Sequence, residues 1–368
     1  MQRRDFVAAG GATLAGVLAG CAGGSGEQQS TVTGTATGGP YTVSIEPVGE
    51  VTFDSVPQTW VGNNGSWADM GVALGVGAPE AVWLPGRYHT NYYDDIPSVS
   101  VDGSSITALS DDGVGEEQFY ALDGDVHVID PNFLRNRFDG WDEEKVNRVA
   151  ERQAPFFANS SFSRNYAWHE SYRYYTIEEC FEKLSQVFQR QDRYEAMMDV
   201  RETFSANLSA AVPEDDSERP NVAVLWGGDD PEQFYPYLIN EGTSYRQLRD
   251  LQVGDALAQT DVQDFYESRG QIGYETLLEI DPDVLLIRSH EDETPAEFES
   301  NVVSFMESDD TASELTAVQN GDVYRGGPLY QGPITNMVVA ERQAQQLYDV
   351  DGSLFDRQRV GEIVDGNL

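Results

Sequence analysis

The sequence predicts an α/β fold in two lobes joined by one long helix, and three observations carry that expectation. Short apolar runs of strand length alternate with helical stretches both before and after the middle of the chain, the order that alternating β and α units produce. Between the two halves an apolar helical period runs from Thr176 to Val212, where Pro213 stops it. Finally, a chain of 368 residues at 40% hydrophobic content exceeds the roughly 250 to 300 residues at which single cores stop growing. Two cores are expected.

Taken in order, the chain opens with MQRRDFVAAGGATLAGVLAGC. Arg3 and Arg4 precede an apolar run from Phe6 to Ala19, and the run closes on the lipobox Leu18-Ala19-Gly20-Cys21. A spanning helix needs about 20 apolar residues. This run is shorter and rich in Gly and Ala, so residues 1–21 read as a lipoprotein signal, of which 1–20 are removed and Cys21 becomes the lipidated first residue of the mature chain. The arginine pair resembles signals read by the twin-arginine route, which exports folded proteins. An ordinary secretory signal with a chance cysteine is the alternative. Residues 22–40 are small and polar without periodicity, as in a flexible tether.

An N-terminal α/β lobe is expected over 41–175. It begins with YTVSIEP; an extended run Thr59 to Gly62 then leads into a helix from about Ser66 to Leu74. Strand-length runs follow at 80–84, 98–101 and 125–130. The interlobe helix over 176–212 starts with a capping box, Thr176 and Glu179. At about 1.5 Å per residue it would span roughly 55 Å, longer than either lobe, and without heptads it would bridge them. A break near Gln191 or Asp192 is the other reading. The C-terminal lobe, 213–368, shows a buried strand NVAVLW, a helix at Ser244 to Leu251, a helix–turn–strand unit at 273–289, a strand at 321–327 and a helix from about Thr335 to Tyr348. Beyond Cys21 only Cys180 remains, so no intrachain disulfide is available and stability must come from burial.

Charge excludes one class of partner. With 63 acidic against 23 basic residues the formal charge is −40, and Lys145 and Lys183 are the only lysines. This pattern resembles proteins from salt-saturated cells, where a Debye length of about 3 Å at molar salt leaves acidity to act as solvation. Nucleic acid is not an expected partner, because phosphate backbones are bound through Lys and Arg, and no basic stripe is present.

The chain resembles the substrate-binding lipoproteins of ABC importers for iron–siderophore complexes and cobalamin, over about residues 50 to 350. The fragments that carry the likeness are ALGVG at 73–77, YETLLEIDPDVLLI at 274–287 and AVQNGDVY at 317–324. One segment departs from it, LDGDVHVID at 122–130, where the family pattern has leucine-lysine-proline-aspartate before the strand. The resemblance implies a bilobed, monomeric binding protein rather than an enzyme. It would be anchored to the outer face of the membrane through Cys21, with an ABC permease and ATPase as partners and a ferric chelate between its lobes. No catalytic residue, resident metal or cofactor is expected.

The loops at the strand ends supply the candidate ligand residues. After the strand at 80–84 come Arg87, Tyr88, His89, Tyr92 and Tyr93; after NVAVLW come Trp226, Tyr235 and Tyr237. Arg288 and His290 follow the next strand, and Arg325 the last. Arginine offers a planar fork for oxygen-rich chelates and stacks on rings, while Tyr and Trp give apolar walls with a polar edge. His89 and His290, one per lobe, raise a second option, an iron or haem site. His127 reads as structural. Ferric siderophore, cobalamin and haem therefore stay open as ligands, and an extracellular metal-dependent hydrolase is the competing class, although no Gly-x-Ser-x-Gly, His-Glu-x-x-His or phosphate loop occurs. Glu143 or Glu144 and Glu291 or Glu293 are positional candidates for docking on the permease.

Overall fold

Alternating apolar residues at the start of the folded part form a hairpin. In this computed structural model, which describes residues 39–109, 114–164, 166–169, 171–228 and 232–368, β1 (Tyr41–Ile45) pairs antiparallel with β2 (Gly49–Phe53). Val43, Ile45, Val51 and Phe53 share its buried face.

Next come β3 (Trp60–Gly62), α1 (Gly65–Ala73), β4 (Ala81–Val82) and β5 (Thr107–Ala108). They are followed by α2 (Glu116–Leu122), β6 (Val126–Val128), α3 (Pro131–Arg137) and α4 (Glu143–Arg152). The four strands make a parallel sheet in the order β5-β4-β3-β6. Asn64 caps α1 by accepting from the Ser66 N–H at 2.9 Å, and every residue of α1 is buried. The run at 98–101 is not a strand. Ser98 lies in the left-handed region at φ 64°, which breaks an extended chain, and Thr107–Ala108 takes the sheet edge instead.

The single helix expected over 176–212 is two, α5 (Ile177–Phe188) and α6 (Gln191–Ala211). Gln189 at φ 52° ends α5 by turning the chain left-handed, with its N–H on the Ser185 carbonyl. The two helices then pack against each other, and Phe181, Leu184, Phe188, Met197 and Phe204 fill the same core. The junction is folded and does not form a 55 Å strut.

The C-terminal half builds β7 (Asn221–Gly227), β8 (Gln233–Tyr237), α7 (Arg246–Asp250), β9 (Gly254–Asp255), α8 (Phe265–Ser268), β10 (Ile272–Gly273), α9 (Tyr274–Ile280) and β11 (Val284–Arg288). It continues with α10 (Pro295–Phe298), α11 (Ser304–Ser308), α12 (Thr316–Asn320) and β12 (Val323–Arg325). Its sheet runs β10-β8-β7-β11-β12, with β7, β11 and β12 parallel. Both faces of β7 and β11 are covered, Leu225, Leu285 and Ile287 on one side and Val222, Val224 and Leu286 on the other. That explains their unbroken apolar runs.

The expected boundary 213–368 needs correction at its far end. Helices α13 (Pro333–Tyr348) and α14 (Arg357–Asp365) leave the C-terminal lobe and bury Ile334, Met337, Ala340, Val360 and Ile363 in the N-terminal core beside Trp67 and Phe204. Asp69 of α1 fastens this return. Its buried carboxylate accepts from the Ile334 N–H at 2.9 Å, the Thr335 N–H at 3.3 Å and the Thr335 hydroxyl at 2.9 Å. It thereby caps α13, whose own N-cap residue, Gly332, offers no side chain. Gly332 is required there, since a Cβ would sit 2.4 Å from an Asp69 oxygen.

Candidate functional site

The carboxyl ends of the parallel strands from the two lobes meet. Leu84, left-handed at φ 56°, ends the extension of β4 and turns the chain through Pro85–Arg87 toward the other lobe. Arg87 lies over Trp226 at the end of β7, 4.6 Å from the ring centroid, and its side chain also hydrogen-bonds Tyr330. Arg288, the last residue of β11, is 0% exposed. Its Nη2 donates to the Ser244 carbonyl at 2.7 Å, and the guanidinium lies 4.8 Å from the Tyr245 ring and 5.8 Å from that of Tyr237. Its Nε and Nη1 have no hydrogen-bond partner among the described residues.

Aromatic rings from three parts of the chain surround these arginines. Trp83 packs on Phe133 at 4.8 Å and Phe138 at 6.0 Å. Tyr166, on the crossover between β6 and α5, stacks on Trp168 at 4.0 Å and reaches Tyr266 of the C-terminal lobe at 5.8 Å. Tyr266 in turn meets Tyr237, and Tyr235 meets Phe265. Arg137 sits 5.9 Å from both Trp83 and Tyr166, and Arg269 sits 4.4 Å from Phe265. No ion pair joins Arg87, Arg137, Arg269 or Arg288 to a carboxylate of the described residues. In a chain where acids outnumber bases 63 to 23, these four face rings.

Arg87, Trp226 and Tyr235 are thus brought to one surface, with Arg288 buried behind its rings against Tyr237 and Tyr245. Of the remaining predicted residues, Tyr92 and His89 form a direct lobe-to-lobe contact, while Tyr88, Arg325 and His290 bond within their own lobes. Tyr92 donates to the buried carboxylate of Glu291, which also takes the Arg342 guanidinium at 3.0 Å and the Gly327 N–H at 2.8 Å. His89 Nδ1 lies 2.7 Å from Asp292 Oδ1. Tyr88 joins its hydroxyl to that of Tyr93 at 2.8 Å, and Tyr93 donates to Asp69 at 2.8 Å. Arg325 donates through Nη1 to the Glu293 carbonyl at 2.5 Å. His290 holds Glu293 at 3.1 Å, so the two histidines are engaged by different carboxylates of one turn. Glu291 is 1% exposed, which removes it from the docking candidates. Glu143 and Glu144 lie exposed in the first turn of α4.

Burial sets the ionisation of this contact. Asp69 is raised above the usual carboxylate range by desolvation, offset in part by its hydrogen bonds. Burial acts the same way on Glu291, but Arg342, Tyr92 and Arg325 together hold its carboxyl below the usual value. The Tyr88, Tyr92 and Tyr93 hydroxyls are pushed up by burial and stay protonated. His127, in the N-terminal sheet, is lowered by burial to about 4 and is neutral, in keeping with a structural role. Among the described residues no cluster of three His, Cys, Asp or Glu side chains is placed to hold a metal, and no helix is long and apolar enough to cross a membrane.

Sequence reasoning missed Trp83, Phe133, Arg137, Tyr166 and Tyr266. The signal was available for Tyr166 in the density of rings between 166 and 175, YAWHESYRYY.

Two α/β lobes that face each other across a surface of rings and arginines, at the strand ends where open sheets bind ligands, define a bilobed binding protein. The chain belongs to the periplasmic binding protein family, which matches residues 87–329. It is a binding protein and not an enzyme, of a family that works outside the cytoplasmic membrane. Among solved structures it is similar to a periplasmic binding protein from Veillonella parvula, with 14% identity, a TM-score of 0.58, and coverage of 85% of this chain and 99% of that one. It is similar as well to FhuD from Vibrio cholerae, a siderophore binding protein bound to Fe3+–Desferal, with 17% identity, a TM-score of 0.51, and coverage of 80% and 99%. A third is FeuA from Bacillus subtilis, a triscatecholate siderophore binding protein complexed with ferri-bacillibactin, with 15% identity, a TM-score of 0.53, and coverage of 81% and 96%. No curated protein sequence matches the chain.

Proposed function

We propose that the protein is the lipid-anchored receptor of an ABC importer, which captures a ferric siderophore or related iron chelate between its lobes and delivers it to the permease. The observation that carries the ligand class is the set of arginines, Arg87, Arg137, Arg269 and Arg288, each against an aromatic ring and none paired with a described carboxylate. An anionic, oxygen-rich chelate satisfies both features. Its charge meets the guanidinium forks, and its rings or methylene arms lie on Trp83, Tyr166, Trp226, Tyr235 and Tyr237. The chelate is cargo, and its iron is already saturated by the chelator, so the protein has no need to ligate it. The family match and the chelate-bound relatives support this reading. The carboxylates already on His89 and His290 weigh against the haem alternative.

Export by the twin-arginine route and anchoring through Cys21 belong to the same proposal, and both rest on the first 21 residues, which lie outside the described part of the chain. The test is a fluorescence titration of the mature protein at molar salt with ferric hydroxamate and catecholate siderophores, cobalamin and haem. Binding of at least one ferric siderophore, quenching Trp226 and weakened about ten- to a hundredfold by Arg87→Ala, is expected. Binding of cobalamin or haem alone would overturn the ligand class.

A further inference from the structure

A second basic site lies outside the ring surface, where the crossover segment and the start of α5 meet α7. A cavity of about 210 Å³ opens there, lined by Arg164, Arg246, Arg249 and Thr243 and by the carboxylates Glu241 and Asp250. Three of the chain's 23 cations thus share one small space. Arg246 is anchored, its Nε on Asp250 at 2.7 Å and its Nη1 3.6 Å from Glu178. Arg249 is fixed by Nη1, which donates to the Gly242 carbonyl at 2.9 Å, and it approaches Glu241 only to 3.8 Å. Arg164 lies over Tyr174, 4.6 Å from the ring centroid, and forms no ion pair with a described residue. Thr243 is 5% exposed, and its Oγ1 has no hydrogen-bond partner among the described residues. Burial depresses the Arg249 guanidinium, with smaller contributions from Arg246 and Arg164, against the pull of Glu241 and Asp250. The first turn of α5 carries Glu178 and Glu179, so the helix end itself adds little.

We infer that this cavity binds a small tetrahedral oxyanion, phosphate or sulfate, between Arg164 and Arg249, with the Thr243 hydroxyl as a third donor. Guanidinium forks match the paired oxygens of such an anion, and the anion relieves the repulsion among the three arginines. It joins the crossover segment to the C-terminal lobe, and none of its lining residues is among the chelate candidates. The site is independent of the chelate assignment.

The experiment is isothermal titration of the mature protein with inorganic phosphate and separately with sulfate, in chloride buffer of constant ionic strength. Wild type, Arg164→Gln, Thr243→Val and, as a control on an exposed arginine elsewhere, Arg135→Gln are compared, with circular dichroism to confirm folding. A saturable heat at one site per chain is expected, weakened about tenfold or more in the first two variants and unchanged in the control. Absence of saturable heat in wild type would overturn the inference, and so would equal affinity in all four proteins. Thr243→Val keeps the volume and every charge, so a loss in that variant cannot be assigned to altered net charge.

Discussion

Replacing Arg288 with methionine should make the protein more stable and a worse receptor at once. Arg288 is 0% exposed, and only its Nη2 has a partner, the Ser244 carbonyl at 2.7 Å. Removing a charged group from water costs several kcal/mol, whereas one hydrogen bond from a charged donor returns about 1.5 to 3 kcal/mol and the ring faces of Tyr245 and Tyr237 about 0.5 to 2 kcal/mol. The balance leaves the guanidinium destabilising by roughly 1 to 3 kcal/mol, since a buried charge replaced by an apolar side chain of similar length can gain that much. Methionine fills the space, and the Ser244 carbonyl keeps the Gln331 amide at 3.1 Å. At about 2 to 4 °C per kcal/mol, Tm should rise by several degrees. The affinity for an anionic chelate should fall about ten- to a hundredfold. Scanning calorimetry and a fluorescence titration on the same samples read both. A lower Tm with unchanged affinity would refute the reasoning, because it would mean that Arg288 holds the fold and does not face the ligand.

Three further outcomes are expected. Cys21→Ser should move the protein from the membrane fraction to the soluble fraction, and continued sedimentation with membranes would remove the lipid anchor. Gln189→Gly should raise stability by about 1 kcal/mol, because Gln189 is held left-handed at φ 52° between α5 and α6; a loss of stability on calorimetry would point to a continuous helix in solution. Glu178 is desolvated, yet Arg201 at 2.6 Å and Arg246 at 3.6 Å lower its carboxyl from 4.5 to about 2. The folded value is depressed, so this stability is fully present above about pH 4.5 and is lost as pH falls toward about 2, on the order of 3 kcal/mol in all. Glu178→Gln should lie below wild type in Tm at neutral pH and converge with it in acid, and a gap of constant width would exclude a charge effect.

What could be read in advance followed from physical range. Strands β7 and β11 are covered on both faces, and a strand so covered writes a continuous apolar run into the sequence; NVAVLW and DVLLI were therefore legible. The Thr176 capping box was legible too, because all its atoms lie within four residues. The break after Phe188 was legible only as the alternative, near Gln191 or Asp192, since the apolar period carries through to Met197 and neither Gly nor Pro marks Gln189, whose left-handed turn is imposed by packing α5 and α6 on one core. The ring-and-arginine chemistry of the cleft showed in residue types at strand ends. Which of those residues face the cleft did not, because Tyr92 finds its partner Glu291 at a separation of 199 residues. A tyrosine that walls a ligand and one that locks two lobes look identical in a sequence.

The return of α13 and α14 to the N-terminal core has a consequence for the order of folding. Asp69 and Thr335 are 266 residues apart in the chain, and the ribosome adds about 5 to 20 residues per second. Tens of seconds therefore separate the synthesis of α1 from that of the helices that cover it. During that interval Trp67, Phe204 and their neighbours have no lid, and the N-terminal half lacks part of its core while the rest is made. Contacts of such long separation also form slowly, because the loop must close before any packing is gained. The nascent chain thus passes through a long window with its largest core open, and that core is closed only once α13 and α14 have been made.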